Sequence, residues 1–427
     1  MRDILLALFL LSALPLVLYR YQIGGLVIAF ISFMYPQSNT YGFALSVQWI
    51  DMFFVLTVGG YIVQQGYKNY QHHPLVTALI ILFLWTCVTT IFSFNLYYSY
   101  EPWVKFSKIL LIAYVVYAML NTEQRLTALM KVMVLSFGFY GIKGGLFTII
   151  SGGTAHVLGP VNSFFGDNNG MALVLVMSVP FMIYFVSNAE NIYQKYFSLI
   201  CAIFTSIGVL GTQSRTGFAA LVVTVLYFTW LQKKLFRAIL IIAPIAFVAI
   251  YFMPQSWTER MGTSTNLEQD SSFQGRVDMW RASVKIANDH PITGGGFDVI
   301  YVPEVIVQYI PLGVTARAIH SGYFQMIAEH GYAGFMIWMS ILAYTYLVAR
   351  RLGRQSKDVP NMPWFNDLSI AIRSSLVGYM ILAFTANIAF FDLLYFLIVI
   401  TTIADNVMQK NRGSDKFDLY KPVAMAA

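Results

Sequence analysis

Three basic side chains stand at positions where they could do chemistry: Arg215, Arg276 and His320. Arg215 lies in a short polar turn between two apolar runs, Arg276 begins a polar amphipathic segment, and His320 directly precedes a long apolar run. A guanidinium group stays charged and can hold an anion, whereas an imidazole with an ordinary pKa near 6.5 can accept a proton at neutral pH. These residue types are therefore suited to stabilising negative charge and to taking up a proton.

Each of the three also has a plain structural interpretation. Arg215 could extend to lipid headgroups, Arg276 could pair with Asp278 or Glu268, and His320 could cap the helix that follows it. A charged side chain at or just inside the membrane interface is a functional candidate by default, which applies to Arg215; Arg276 and His320 stay candidates beside it. Arg281 and Arg317 are interpreted as solvated charges, and Glu329 and His330 either as a buried pair or as partners that support the site. Three lysines are interpreted as structural, each pairing with Asp51, Asp167 or Asp392: Lys105, Lys108 and Lys143.

The polar segment 274–288 is predicted to be a helix, because apolar residues recur three and seven positions apart. Trp280 is expected to anchor this helix at a membrane interface. His290-Pro291 is expected to end the helix, and the three glycines at 294–296 to form a flexible turn. The predicted apolar face consists of Val277, Trp280, Val284 and Ala287.

Several motifs that carry metal or cofactor chemistry do not occur in the sequence. There is no phosphate-binding P-loop, no GxGxxG fingerprint and no HExxH or CxxC zinc motif. No Asp-x-Asp pair is present to hold a metal against a nucleotide diphosphate, and the six histidines lack metal-ligand spacing. The sequence therefore predicts neither a metal site nor a nucleotide site.

The composition is that of a membrane protein. Of 427 residues, 58% are hydrophobic and 11% are charged, whereas a soluble domain has about 25% charged residues. This excludes a cytosolic enzyme, a disordered chain and a nucleic-acid-binding domain, and it favours an all-α polytopic membrane protein. Residues 4–35, interrupted at 18–21, form either a hairpin of two short spans or one broken span, so about twelve or thirteen transmembrane helices are expected. The other candidate spans are 46–64, 75–93, 104–120, 127–150, 171–187, 196–212, 216–231, 236–252, 321–349, 368–387 and 390–406.

Basic residues predict the orientation, because Lys and Arg collect in cytoplasmic loops. Basic clusters occur at 233–237, 350–357 and 410–421, and one topology places all three in the cytoplasm. Arg215, His320 and the one long outer loop then share the opposite face. The expected organisation is N-terminal transmembrane helices at 1–120, central transmembrane helices at 121–252, a large outer loop with short helices at 253–320, C-terminal transmembrane helices at 321–406 and a cytoplasmic tail at 407–427.

Four motifs occur in order around the outer loop. They are Ser214-Arg-Thr-Gly217, Gly275-Arg-x-x-x-Trp280, His290-Pro-x-x-Gly-x-Gly296 and His320-Ser-x-Tyr-Phe-Gln-x-x-x-Glu329-His-Gly331. In this order and spacing they resemble the O-antigen ligase and polymerase superfamily, and the resemblance covers residues 120–405. The N-terminal part, with Met1-Arg-Asp and Gly138-Phe-Tyr-Gly-Ile-Lys-Gly-Gly145, resembles a subgroup described as O-glycosylation ligases.

The resemblance implies a GT-C-like membrane glycosyltransferase of lipopolysaccharide biosynthesis. Its donor would be O-antigen glycan on undecaprenyl pyrophosphate, and its acceptor a hydroxyl of lipid A-core oligosaccharide at the periplasmic face of the bacterial inner membrane. The family implies no metal, nucleotide or other cofactor. On this basis His320 is assigned as the catalytic base, and Arg215 and Arg276 as the substrate-binding clamp on the pyrophosphate. Attack opposite the leaving group would invert the anomeric centre.

Other functions stay open at this point. An O-antigen polymerase or a protein O-oligosaccharyltransferase would share the donor, the chemistry and the motifs, and would differ in the acceptor groove. A transporter of lipid-linked glycans would also have about twelve spans, but it should carry an inverted repeat and polar residues near the midplane. No such repeat is visible, and the polar residues collect on one face.

Overall fold

The computed structural model describes residues 1–236, 271–311, 314–356 and 362–418. The predicted span 236–252, apart from its first residue, and the first part of the outer loop, 253–270, lie outside the described residues. Within the described ranges the chain consists of helices joined by turns, with no β-strand, which confirms the all-α prediction. The α-helices are α1 (Arg2–Ser12), α2 (Leu14–Tyr19), α3 (Tyr21–Met34), α4 (Phe43–Ser46), α5 (Trp49–Val63), α6 (Pro74–Ile91), α7 (Leu96–Met119), α8 (Glu123–Ile150), α9 (Asn168–Ser187), α10 (Ile192–Gly211), α11 (Arg215–Leu231), α12 (Ser271–Asp289), α13 (Pro303–Ile306), α14 (Gly322–Gln355), α15 (Trp364–Ala383) and α16 (Asp392–Asp418).

Many of these helices are suited to crossing a membrane. Among the described residues, eight helical segments are long and apolar enough to do so, and α3, α5 and α11 are shorter apolar helices. A helix of about 20 residues matches the thickness of the hydrocarbon core. The prediction of a multi-pass helical membrane protein is therefore confirmed, while the total of about twelve spans stays a prediction.

Residues 4–35 fold as a hairpin of two short helical arms. The chain turns at Arg20, which is extended between α2 and α3. Across the hairpin the rings of Phe9 and Phe30 pack with their centroids 5.9 Å apart. The Asp3 carboxylate accepts hydrogen bonds from the turn that follows α3. The start of the first arm thus lies beside the end of the second, which favours the hairpin over one broken span.

Helices α9 and α16 form the centre of the bundle, since 83% of the apolar stretch of each is buried. Around them, close approach of α8 and α10 depends on small residues. A Cβ on Gly145 would lie 2.3 Å from the carbonyl oxygen of Phe204, and one on Gly141 would lie 1.9 Å from the hydroxyl of Thr205. Small residues permit such backbone contact between membrane helices. The glycines of segment 138–145 therefore have a packing role.

The bundle has two chemically different ends. At one end a buried carboxylate, Asp405 of α16, binds His73 Nε2 at 3.3 Å and Arg351 Nη2 at 2.5 Å, which ties α6, α14 and α16 together. At the other end, hydrogen bonds join the loops that the sequence placed on a common outer face. This second end is called the site end below, and its loops lie at 36–40, 151–170, 211–216, 290–321 and 384–391.

Candidate active site

His320 lies at the site end, in the turn before α14. Its backbone has a φ of 51°, in the left-handed region that only a few per cent of residues other than glycine adopt. The residue after it is held in place. Ser321 donates two hydrogen bonds, from its N–H to Asn387 Oδ1 at 3.1 Å and from its hydroxyl to the Ala383 carbonyl at 3.4 Å. Surroundings that fix a strained backbone are typical of functional positions, and they hold the imidazole half-buried at the start of α14.

The helix predicted at 274–288 is present as α12, but its buried face differs from the predicted one. Met279, Ala282 and Ile286 are fully buried, and of the four predicted face residues only Ala287 is. The reason is that α12 packs against α14 and a small hydrophobic cluster of the loop itself. The helix is therefore part of the protein core at this end, which single-sequence periodicity does not reveal.

Trp280 is half-buried and packs on protein, and its role as a membrane-interface anchor stays a prediction. Its ring stacks on Phe324 of α14 with centroids 5.1 Å apart and meets Phe384 edge-on at 5.4 Å. Its indole N–H, which needs a partner when buried, donates to the Ile319 carbonyl at 2.9 Å. Because Ile319 directly precedes His320, Trp280 helps to fix the strained turn.

Arg276 lies within electrostatic reach of His320. Burial lowers the pKa of His320, the positive charge of Arg276 lowers this pKa further, and the negative charge of Asp167 raises it. The net direction is downward, so the imidazole is neutral at pH 7, as a general base must be before it accepts a proton.

Arg317 was expected to be a solvated charge, and it is exposed, but its position is defined. Its Nη1 lies 3.0 Å from where a Cβ on Gly275 would stand. The glycine of the Gly275-Arg motif therefore leaves room for the Arg317 guanidinium, one position before Arg276 in the helix.

Arg215 is the first residue of α11. The chain turns at Gln213, which has a φ of 52°. Ser214 then caps the helix, since its Oγ accepts from the N–H of Gly217 at 3.1 Å. Arg215 is half-buried at this helix N-terminus, where the partial positive charge of the helix adds to its own. The position favours an anion.

Asp167 connects the surroundings of Arg215 with those of His320. It caps α9 by accepting from the N–H of Asn169 at 2.7 Å. Asn169 in turn accepts from the hydroxyl of Ser214 at 2.7 Å, directly before Arg215. The same Asp167 carboxylate is close enough to raise the pKa of His320. The start of α9 is therefore bonded to the turn before Arg215 and lies within electrostatic reach of His320.

A second connection runs through the loop after α15. The hydroxyl of Thr385 donates to Thr216 Oγ1 at 2.7 Å, one residue after Arg215. Two residues further on, Asn387 holds the backbone beside His320. Arg276 thus lies within electrostatic reach of His320. The turn that carries Arg215 is connected to the surroundings of His320 through the start of α9 and through the loop after α15.

Two glycines lock the loop after α12 onto α14, so the turn that was predicted to be flexible is held. Helix α14 is interrupted at Gly331, which has a φ of 67°, and Gly294 has a φ of 64°. A Cβ on Gly294 would lie 2.5 Å from the Gly331 nitrogen, and one on Gly331 would lie 2.6 Å from the Ile292 carbonyl oxygen. The interruption frees carbonyl groups of α14, which accept from two N–H groups of the loop at 2.9 Å each.

Glu329 and His330 are buried, as expected, but each has its own partner. Glu329 Oε1 accepts from the N–H of Asp298 at 3.3 Å, and His330 Nδ1 lies 2.7 Å from Thr89 Oγ1. They fasten the loop and α6 to α14 and support the site from behind. His290, by contrast, is exposed.

Sequence reasoning missed the part played by Asp167, which it considered only as a partner for a lysine. The available signal was its place before Asn-Asn-Gly and an apolar run, an N-cap pattern. Within the described ranges, no group of three or more His, Cys, Asp or Glu side chains is placed to hold a metal ion. The assignments of His320, Arg215 and Arg276 to base and clamp stay predictions.

Comparisons with known protein families agree with the geometry. Residues 200–339 match the model of the family described as O-antigen ligase, and residues 1–190 match a family of unknown function (DUF5935). A search of curated proteins found no match. The matched range 200–339 contains Arg215, Arg276 and His320. The resemblance inferred from the four motifs is therefore confirmed by the match of residues 200–339 to the O-antigen ligase family.

Proposed function

We propose that this protein is an O-antigen ligase, a metal-independent inverting glycosyltransferase. It moves glycan from undecaprenyl pyrophosphate to a hydroxyl of lipid A-core oligosaccharide. The observation that carries the proposal is a half-buried His320 whose pKa is lowered by burial and by the nearby Arg276, at one end of a membrane bundle that carries a match to the O-antigen ligase family. A proton acceptor next to a cation is what glycosyl transfer from a pyrophosphate requires.

The reaction needs one proton acceptor and one anion site. The oxygen of the acceptor hydroxyl attacks the anomeric carbon and forms the new glycosidic bond. The bond from that carbon to the pyrophosphate oxygen breaks, and its electron pair stays on the pyrophosphate. His320 takes the hydroxyl proton, which is typically worth 10²–10⁴-fold in rate. Arg215 and Arg276 bind the departing oxygens, because guanidinium groups hold phosphate in pairs of charge-assisted hydrogen bonds.

The membrane orientation follows from charge. The basic segment 350–354 lies at the end of the bundle opposite to His320, and cytoplasmic loops are rich in Lys and Arg. We therefore place the site end in the periplasm of a cell with an inner membrane, where the lipid-linked donor and the lipid acceptor meet in one leaflet.

The experiment that tests the proposal is a lipopolysaccharide gel from a deletion strain complemented with the wild type or with His320→Ala. Loss of the whole O-antigen ladder with intact core, restored by the wild type and not by the variant, is the expected result. A band with a single repeat would instead identify a polymerase. A normal ladder beside an unmodified glycoprotein would identify a protein O-oligosaccharyltransferase. Donor that is trapped on the cytoplasmic leaflet would identify a transporter.

A further inference from the structure

A groove with both aromatic and charged walls opens at the site end, beside the start of α7 and apart from the residues of the proposed clamp. Its volume is about 610 Å³. Aromatic and charged side chains share its walls, including Tyr97, Tyr98, Tyr100, Glu101, Lys105 and Asp298.

The tyrosines offer ring surface that the protein itself does not cover. Tyr97 is 85% exposed and Tyr100 is 58% exposed. The rings of Tyr97 and Tyr98 are 5.7 Å apart and 84° to each other, so they present faces in two directions. Tyrosines that only marked a membrane interface would face lipid, whereas these share a groove with two carboxylates and an ammonium group. The combination favours a ligand with both C–H faces and hydroxyl groups.

The charged groups of the groove complement hydroxyl groups better than phosphate. Glu101 and Lys105 form an ion pair at 2.7 Å, and Asp298 is half-buried beside them. Burial raises the pKa of the Asp298 carboxyl, Lys105 lowers it, and Glu101 raises it. Carboxylates accept hydrogen bonds from hydroxyls and an ammonium donates to them. Two carboxyl groups against one lysine disfavour an anion.

The walls of the groove are fixed to the loop that carries the site. Ser99 of α7 donates to the Phe297 carbonyl at 2.8 Å, and the N–H of Phe94 donates to the Gly295 carbonyl at 3.0 Å. A binding surface with fixed walls loses little freedom when a ligand binds. The groove is therefore suited to recognition.

The groove and His320 are both connected to α14, which gives a measure of how far apart they lie along that helix. Asp298 is bonded through its N–H to Glu329 of α14, and His320 precedes the first turn of the same helix. With a rise of 1.5 Å per residue, the seven steps from residue 322 to residue 329 span about 11 Å along the helix. A saccharide chain that reaches from the reacting hydroxyl to the groove would pass along this face.

We propose that the groove binds a saccharide portion of one of the two substrates. The C–H faces of sugar rings pack on Tyr97 and Tyr100, while sugar hydroxyls donate to Glu101 and Asp298 and accept from Lys105. The saccharide comes from the acceptor oligosaccharide or from the donor glycan. The choice between them rests on the proposed glycan transfer, but binding itself does not depend on turnover.

The test is saturation-transfer NMR on the full-length protein in lipid nanodiscs. Two probes are used: core oligosaccharide released by mild acid from the lipopolysaccharide of the same bacterium, and the free O-glycan. Transfer from protein to sugar protons is expected for one of them. Tyr97→Ala and Asp298→Asn should weaken binding about tenfold, which corresponds to 1.4 kcal/mol. Tyr97→Phe keeps the ring and should bind like the wild type.

Tyr41→Ala is the matched control, because Tyr41 is 83% exposed at the same end and does not line the groove. His320→Ala should abolish transfer of glycan and leave saturation transfer unchanged, so failure of the proposed catalysis and failure of the groove are separable. The probe that binds identifies the source of the saccharide. Absence of binding for both probes would overturn the proposal, and so would equal losses in Tyr97→Ala and Tyr41→Ala.

Discussion

Replacing His320 by alanine should abolish most of the turnover and leave the fold intact. His320 is half-buried in a turn whose neighbours are fixed by Ser321, so truncation of the imidazole removes little packing. Loss of a general base costs typically 10²–10⁴ in rate, which is about 3–5 kcal/mol of transition-state stabilisation. The loss should appear in kcat, while the KM for the donor changes little, because the arginines hold the pyrophosphate.

The same prediction has a pH form with a definite sign. Burial and Arg276 lower the pKa of His320 from its ordinary value near 6.5. The imidazole therefore stays neutral at a pH somewhat below this ordinary value, and activity should fall only when the pH drops below the lowered pKa. Arg276→Gln removes a cation, so the pKa should rise and the acidic limb should move to higher pH. Asp167→Asn removes the anion, so the limb should move to lower pH. Asparagine caps helices about as well as aspartate, so the cap on α9 should survive.

The assay is transfer of glycan from purified lipid-linked donor to lipid A-core, measured from pH 5 to 8 as kcat/KM. His290→Ala is the matched control, because His290 is exposed on the same loop, and Arg281→Ala is the control for loss of a cation from α12. If His320→Ala keeps appreciable turnover while His290→Ala does not, the wrong histidine has been assigned. If Arg276→Gln and Asp167→Asn shift the limb in the same direction, the electrostatic argument fails.

Three further results are expected. Arg215→Lys and Arg276→Lys should not rescue donor use in a KM measurement, because an ammonium cannot reproduce the planar guanidinium fork; near wild-type transfer with both would argue for charge or topology alone. Transfer should survive EDTA, and loss of activity restored by Mg²⁺ or Mn²⁺ would contradict the arginine clamp. Gly294→Ala should lower the free energy of unfolding by roughly 1–3 kcal/mol, through strain at positive φ and contact with Gly331, and this is measured as a lower midpoint of thermal unfolding. Gly152→Ala is the control that separates strain from contact, because Gly152 has a positive φ but nothing near its Cβ.

Much of the fold could be predicted from local signals, because a membrane span is recognised by its long run of apolar residues. Among the described residues the long apolar runs are helices, and the hairpin at 4–35 was one of two expected forms. The alternatives were separated only by contacts such as Phe9 on Phe30, which connect positions far apart in sequence. Periodicity also placed α12 correctly and its buried face wrongly, since burial there is decided by α14 and not by α12 alone.

The sequence identified candidate site residues, but it did not show how they lie relative to one another in the fold. Arg276 and His320 are 44 positions apart in the sequence, and nothing local indicates that one lowers the pKa of the other. The role of Asp167 depends on a third helix, α9, and was missed for the same reason. The glycines at 294 and 331 are informative in hindsight. Glycine at these two distant positions is explained by the packing of the loop on α14, since a Cβ on Gly294 would meet the Gly331 nitrogen and a Cβ on Gly331 would meet the Ile292 carbonyl.

A final prediction follows from the sign of the charges around His320. In the free protein Arg276 lowers the pKa of His320. If Arg276 binds the pyrophosphate, the bound anion offsets that positive charge, so the pKa of His320 should rise when the donor binds. The imidazole would then become a stronger base only where there is a sugar to transfer. The pH dependence of kcat/KM reports the free protein and that of kcat reports the complex, so the acidic limb of kcat should lie at higher pH than the limb of kcat/KM for the donor. Arg281→Ala should preserve the separation between the acidic limbs of kcat and kcat/KM, whereas Arg276→Gln should change it. Coincident limbs in the wild type would mean that the donor does not bind beside Arg276.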